Sequence, residues 1–186
     1  IRDISSNHVV EGNRRTSLRQ DALDELARRG LACQCVRCRE IRGRQVGPDD
    51  LHLDDLVYHP AYAEEHFLSF VTEDNRIAGY LRLSLPEEDE TNPYPPGLPA
   101  DLFPDLRGAA LIREVHVYGQ SLAVGSEQSG AAQHAGLGTR LLRHAEEVAR
   151  KHGFRRMAVI AAIGTRLYYQ SRGFKRGDLY MLKELD

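Results

Sequence analysis

Residues 133–142 read QHAGLGTRLL, and the fold turns on how that stretch is taken. From Leu137 the apolar positions recur at helical spacing through Leu141, Leu142, Ala145, Val148 and Ala149 to about His152. Upstream, residues 109–118 (AALIREVHVY) are a β-rich run. A strand, a glycine-containing loop and a helix start together make an anion site. The first N–H groups of a helix have no intrahelical acceptor, and its dipole puts positive charge at that end. Gly136 and Gly138 let backbone approach a phosphate with no Cβ in the way. The spacing is neither the six-residue dinucleotide fingerprint nor a loop ending in Gly-Lys-Ser/Thr. Alone, Gly-x-Gly also reads as a plain helix-entry turn.

Working outward, residues 156–161 (RMAVIA) form a short, almost continuously apolar strand of the kind buried in a parallel pair. Residues 165–171 read as a second short helix closed by Gly173, and residues 174–182 return as one or two edge strands. On the other side, residues 66–72 and 77–85 flank the turn EDNR and predict a hairpin. Six of the eight prolines fall between Pro86 and Pro104 beside an acidic run, which predicts a surface loop. Nearer the start, Thr16 or Ser17 can cap a helix that Gly30 ends, with Leu18, Ala22, Leu23, Leu26 and Ala27 as its apolar stripe.

The 186 residues suffice for one ample domain, or for a domain with a small appendage. No apolar run approaches the roughly 18–20 residues that span a bilayer, and no signal-peptide pattern opens the chain, so no membrane partner and a cytoplasmic setting are expected. The chain starts at Ile1, which suggests a fragment of a longer protein. Its net charge of −2 hides an asymmetry. Residues 1–44 carry ten Arg against six acidic residues, and no Lys. Arginine suits bidentate phosphate contacts, so Arg14, Arg15, Arg19, Arg37, Arg39, Arg42 and Arg44 are candidate nucleic-acid contacts, unless they are simply a solvated face.

All three cysteines, Cys33, Cys35 and Cys38, lie within LACQCVRCRE, residues 31–40. A disulfide would strand one thiol, and no thioredoxin-like context surrounds them. Three thiolates on a tight turn suit a tetrahedral metal, above all Zn²⁺, with one outside ligand. His8 is the first candidate for that ligand, with His52 and His59 behind it; a reduced, structural cluster is the alternative.

Gln-x-x-Gly-x-Gly opening a helix after a long strand resembles the acetyl-CoA pyrophosphate loop of the GNAT acyltransferase superfamily. About thirty residues on, GTRLYYQSRGF (164–174) resembles that superfamily's second signature, a Tyr-bearing helix ending in Gly-Phe. The resemblance implies an α/β fold with a mixed central sheet flanked by helices, preceded here by an N-terminal helix and a Cys-rich linker. It implies that the strand backbone around Val115 and Val117 aligns the pantetheine arm. Gln133, His134, Ala135, Gly136, Leu137, Gly138 and Thr139 would hold the pyrophosphate. Tyr168 or Tyr169 would stand near the thioester sulfur; helical neighbours diverge, so at most one of them does this chemistry, and core packing is the other's alternative role. Glu114 and His116 share a strand face as proton acceptors or as structural hydrogen-bonding groups.

Longer words carry a narrower resemblance. ALIREVHVYG (110–119), QHAGLG (133–138), AVIAAIGTRLYY (158–169), GDLYMLK (177–183), RDI (2–4) and Cys-x-Cys-x-x-Cys-Arg-Glu look like the acetyltransferase domain of the Elongator catalytic subunit family. That resemblance implies an Arg-rich, Cys-containing linker over residues 1–50 and an acetyltransferase domain over residues 51–186. It also implies an upstream radical S-adenosylmethionine domain with a [4Fe–4S] cluster, whose Cys-x-x-x-Cys-x-x-Cys motif this chain lacks. The implied activity is hydrolysis of acetyl-CoA feeding C5 carboxymethylation of the wobble uridine in the tRNA anticodon. The other readings are a lysine Nε-acetyltransferase acting on protein and a non-catalytic, zinc-stabilised RNA-binding module.

Overall fold

The computed structural model describes residues 6–12, 14, 17–44, 46–87, 99, 102–118 and 136–186. The chain falls into two compact units, Ile1–Arg39 and Glu40–Asp186. The first holds a 3₁₀ turn at Ser6–His8, helix α1 (Leu18–Arg28) and one further turn, α2 (Val36–Arg39). Ser17 stands at the N-cap of α1 without a side-chain bond, and Gly30 follows the helix at φ +69°, as the end signal predicts. No residue of α1 is buried, so its apolar stripe has the expected period but no core to serve.

The second unit is a seven-stranded mixed sheet in the order β1-β2-β3-β4-β5-β7-β6. Its strands are β1 (His52–Tyr58), β2 (Ala63–Val71), β3 (Ile77–Pro86), β4 (Ala109–Val117), β5 (Arg156–Val159), β6 (Lys175–Arg176) and β7 (Met181–Glu184). Residues 40–44 and 46–50 belong with this sheet: Ile41 and Val46 are buried in its core, and Ile41 N–H bonds Ile77 O at 3.0 Å. The predicted hairpin is β2–β3, in antiparallel register from Ala63↔Pro86 to Val71↔Ile77. Helix α3 (Leu137–Lys151) buries Leu137, Leu141, Leu142, Ala145 and Ala149 against Leu68, Phe70, Leu81, Ile112 and Met157. At about 25 cal/mol per Å² of apolar surface removed from water, burying five such side chains makes this helix–sheet contact a substantial hydrophobic contribution.

Two details of β4 set up everything that follows. It pairs in parallel with β5 only from Ala109↔Arg156 to Ile112↔Val159, so residues 113–117 continue past the end of their neighbour. On the other side the register with β3 slips between Arg82↔Glu114 and Leu83↔Ile112, leaving Arg113 as a bulge. The extra residue shifts the alternation. Ala110 and Ile112, then Val115 and Val117, all pack with the α3 side, while Glu114 and His116 face away.

The final turn shows one glycine with no substitute. A Cβ at Gly177 would meet Asp105 Oδ1 at 2.5 Å, because the buried Asp105 carboxylate accepts Leu179 N–H at 2.8 Å and Tyr180 N–H at 3.0 Å. Among the described residues no helix is long and apolar enough to cross a membrane.

Candidate active site

Where β4 parts from β5, the N-terminus of α3 comes up beside it. The first intrahelical bond of α3 runs from Arg140 N–H to Gly136 O at 3.0 Å, so the N–H groups of Leu137, Gly138 and Thr139 precede the ladder. No acidic side chain occupies that first turn, which leaves the dipole end positive. Gly138 is packed so closely that an added Cβ would lie 2.5 Å from Tyr168 Oη and 3.7 Å from Val117 Cγ2. Val117 of the parted strand, Gly138 of the helix and the Tyr168 hydroxyl therefore converge on one spot.

Tyr168 belongs to α4 (Arg166–Gln170) and is clamped. The Arg172 guanidinium lies 3.5 Å above its ring and donates to Thr139 Oγ1 at 2.8 Å and to Tyr168 O at 2.8 Å. Arg172 thus ties α4 to the first turn of α3 and adds positive charge where an anion would dock. It stands in plain view in the quoted signature, and sequence reasoning passed over it. Burial, opposed by Arg172 and Thr139, raises the Tyr168 pKa, so its hydroxyl stays protonated and can donate.

Tyr169 is only 7% exposed, edge-on to Phe174 at 5.5 Å, and burial pushes its pKa up to about 12. Its place is in the core, as helical divergence from Tyr168 requires.

Glu114 and His116 are exposed on the opposite face of β4. Glu114 Oε1 accepts the Tyr80 hydroxyl at 2.6 Å, and burial followed by the Glu114 carboxylate raises the Tyr80 pKa. Tyr80 stacks on Phe67 at 5.1 Å and on His116 at 5.7 Å, and His116 meets Tyr118 edge-on at 4.5 Å. The expected proton acceptors are thus set in an aromatic row that the sequence did not disclose. Gln133, His134 and Ala135 lie outside the described residues.

A model of the acetyltransferase (GNAT) family matches residues 37–174. The chain belongs to that family. A GNAT domain of this kind is an acyltransferase, and its fold implies use of acetyl-CoA. The chain is 35% identical to the tRNA uridine(34) acetyltransferase of Dehalococcoides mccartyi, over all of its own length and 39% of that protein. It is 34% identical to Elongator complex protein 3 of Danio rerio over 99% of its length and 33% of that protein. Among solved structures, the archaeal Methanocaldococcus infernus Elp3 with its N-terminus deleted superposes with a TM-score of 0.74 at 28% identity, covering 99% of this chain and 43% of the other. The chain therefore spans well under half the length of the relatives it matches. The cradle built here fits a CoA pyrophosphate: Gly138 has no room for a side chain, and the positive helix end faces the parted strand.

In the first unit, the sulfurs of Cys33, Cys35 and Cys38 lie within 4.8 Å of one another. The Cys38 backbone N–H, then the Cys33 side chain, lower the Cys35 thiol to about 6, which makes it a ready thiolate ligand. The donor set fits zinc in kind and supplies three of four positions. His8 is not in the group; it ends the 3₁₀ turn, and the cation beside the sulfurs is Arg19, 3.0 Å from Cys38 Sγ and 4.0 Å from Cys35 Sγ. Of the other outside candidates, His52 opens β1 and His59 bonds Glu64 at 3.0 Å. Arg19 is thus engaged with sulfur, and Arg44 is paired with Asp74 at 2.7 Å. Arg14, Arg37 and Arg42 are exposed, Arg39 is half-buried, and Arg15 lies outside the described residues.

Proposed function

We propose that this chain is the acetyl-CoA half of an Elongator-type tRNA-modifying enzyme. It would hydrolyse acetyl-CoA to feed C5 carboxymethylation of the wobble uridine in the tRNA anticodon. The observation that carries the reading is the parting of β4 from β5 at the N-terminus of α3, with Tyr168 seated against Gly138. The end-to-end likeness to proteins named for tRNA uridine acetyl transfer supports the acceptor.

In this reading the backbone of residues 113–117 lines the pantetheine arm, and the amides of residues 134–139, with Gln133 beside them, hold the pyrophosphate. Acetyl-CoA, when bound, supplies the activated thioester. The Tyr168 hydroxyl donates a proton toward the departing sulfur, and Glu114 and His116 position and deprotonate water on the other face of β4. Cys33, Cys35 and Cys38 would hold a zinc ion that would stiffen the loop bearing Arg37 and Arg39, and these two, together with Arg14, Arg15 and Arg42, would contact the tRNA backbone. On this reading a separate radical S-adenosylmethionine domain, its [4Fe–4S] cluster held by its own cysteines, would supply the radical chemistry that this chain's residues do not.

The test is CoA release from acetyl-CoA measured alone, with tRNA and with a basic peptide. Severalfold stimulation by tRNA is expected. Stimulation by the peptide alone would make the chain a lysine acetyltransferase, and silence with both would make it a non-catalytic RNA-binding module. Binding should also report on the arginines. Arg37→Glu is expected to weaken tRNA binding and reduce the slope of log K against log salt by about 1, while Arg44→Ala, whose guanidinium already faces Asp74, leaves both nearly unchanged. Filter binding across a salt series reads both.

A further inference from the structure

At the far end of α3 from the Gly138 cradle stands a second cluster. His152, the C-cap of α3, and Glu64 and His66, two residues apart on β2, bring their donor atoms within 4.8 Å of one another. Glu64 Oε1 is 2.8 Å from His66 Nε2 and 2.9 Å from His152 Nε2. The other nitrogen of each ring is already committed. His66 Nδ1 lies 2.9 Å and 3.0 Å from the two Asp55 oxygens, and His152 Nδ1 lies 2.8 Å from Val148 O. Both partners are acceptors only, so each Nδ1 carries the hydrogen.

That assignment leaves two Nε2 lone pairs aimed at one carboxylate oxygen, three acceptors with no donor among them. A cation placed among them would satisfy all three at once. One divalent metal would accept all three donor atoms at a single point. Orientation of each ligand imidazole by a carboxylate or a backbone carbonyl is the usual support for a bound metal. Two imidazoles and a carboxylate suit zinc in a tetrahedral site, whose ligand atoms stand about 3.3 Å apart. Opening the observed 2.8–2.9 Å contacts to that spacing takes small side-chain shifts.

We propose that Glu64, His66 and His152 form a zinc-type transition-metal site independent of the cysteine trio. The metal clips the C-terminal end of α3 to β2. Glu64 and His152 also line a surface cavity of about 530 Å³ with Phe154 and Glu87, so the fourth position opens toward solvent and accepts water or an anionic ligand.

The chain carrying Cys33→Ser, Cys35→Ser and Cys38→Ser isolates this site. After equilibration with Zn²⁺ and desalting, it should retain about one zinc per chain. With Co²⁺ it should show visible d–d absorption, which in a chain stripped of all three thiols reports nitrogen and oxygen ligands. Adding His152→Ala, at an exposed helix end, or Glu64→Gln should abolish both signals while circular dichroism is unchanged. His144→Ala, on the same helix but outside the cluster, should keep them. No zinc and no Co²⁺ spectrum in the triple-Ser chain overturns the proposal, as does a signal that survives both His152→Ala and Glu64→Gln.

Discussion

Gly138→Ala is expected to weaken CoA binding by about tenfold or more while the chain still folds. The new Cβ would stand 2.5 Å from Tyr168 Oη, and that oxygen has little freedom to retreat. Arg172 covers one face of the ring at 3.5 Å, and Tyr169 meets it edge-on at 5.3 Å. Overpacking of this kind costs about 1–3 kcal/mol, or about one to two decades in affinity when it distorts the binding turn itself. The clash concerns the hydroxyl alone, since the ring carbon that bears it would lie 3.5 Å from the Cβ, an ordinary contact. Tyr168→Phe should therefore rescue Gly138→Ala. By isothermal titration with CoA, the double variant is expected to bind within about twofold of Tyr168→Phe alone. Additive losses would show that Gly138 is needed for something other than room for that oxygen.

The elements that this cradle joins were legible because each carries a strong local pattern. The α3 stripe from Leu137 to Ala149 and the turn between β2 and β3 are set by spacing and by punctuating residues, and the structure reproduces both. Strand β1 was not legible. Its sequence HLDDLVY puts Asp54 and Asp55 in mid-strand, residues that disfavour strands, and only pairing with β2 along its whole length makes it one. The reason for Asp55 is not local either: it holds His66 on the neighbouring strand. The Arg113 bulge left a trace, since the consecutive polar pair Arg113-Glu114 in IREVHV breaks strict alternation, but the slip itself is measured only against β3. Arg172 was visible as a letter, but its partners Thr139 and Tyr168 are assembled by the packing of α4 on α3. Long-range side-chain meetings of this kind leave no periodic trace in the chain.

Tyr168→Phe should lower turnover of acetyl-CoA by about 10²-fold and leave the affinity for CoA little changed, because it removes a proton donor and no volume. Tyr169→Phe supplies the contrast: its ring is in the core at 7% exposure, and turnover is expected to stay within about twofold of the parent. The proton balance argues the same way. Burial raises the Tyr168 pKa above its ordinary value of 10, so the acid form persists at every pH below that raised value and is lost only above it. Turnover that depends on this hydroxyl should therefore hold level on the alkaline side between about pH 7 and pH 9. A fall in that window present in the parent and absent from Tyr168→Phe would mean that the hydroxyl titrates too low to be this donor. Equal losses in the Tyr168→Phe and Tyr169→Phe chains would sink the assignment in a different way, since only Tyr168 reaches the point where Val117 and Gly138 meet.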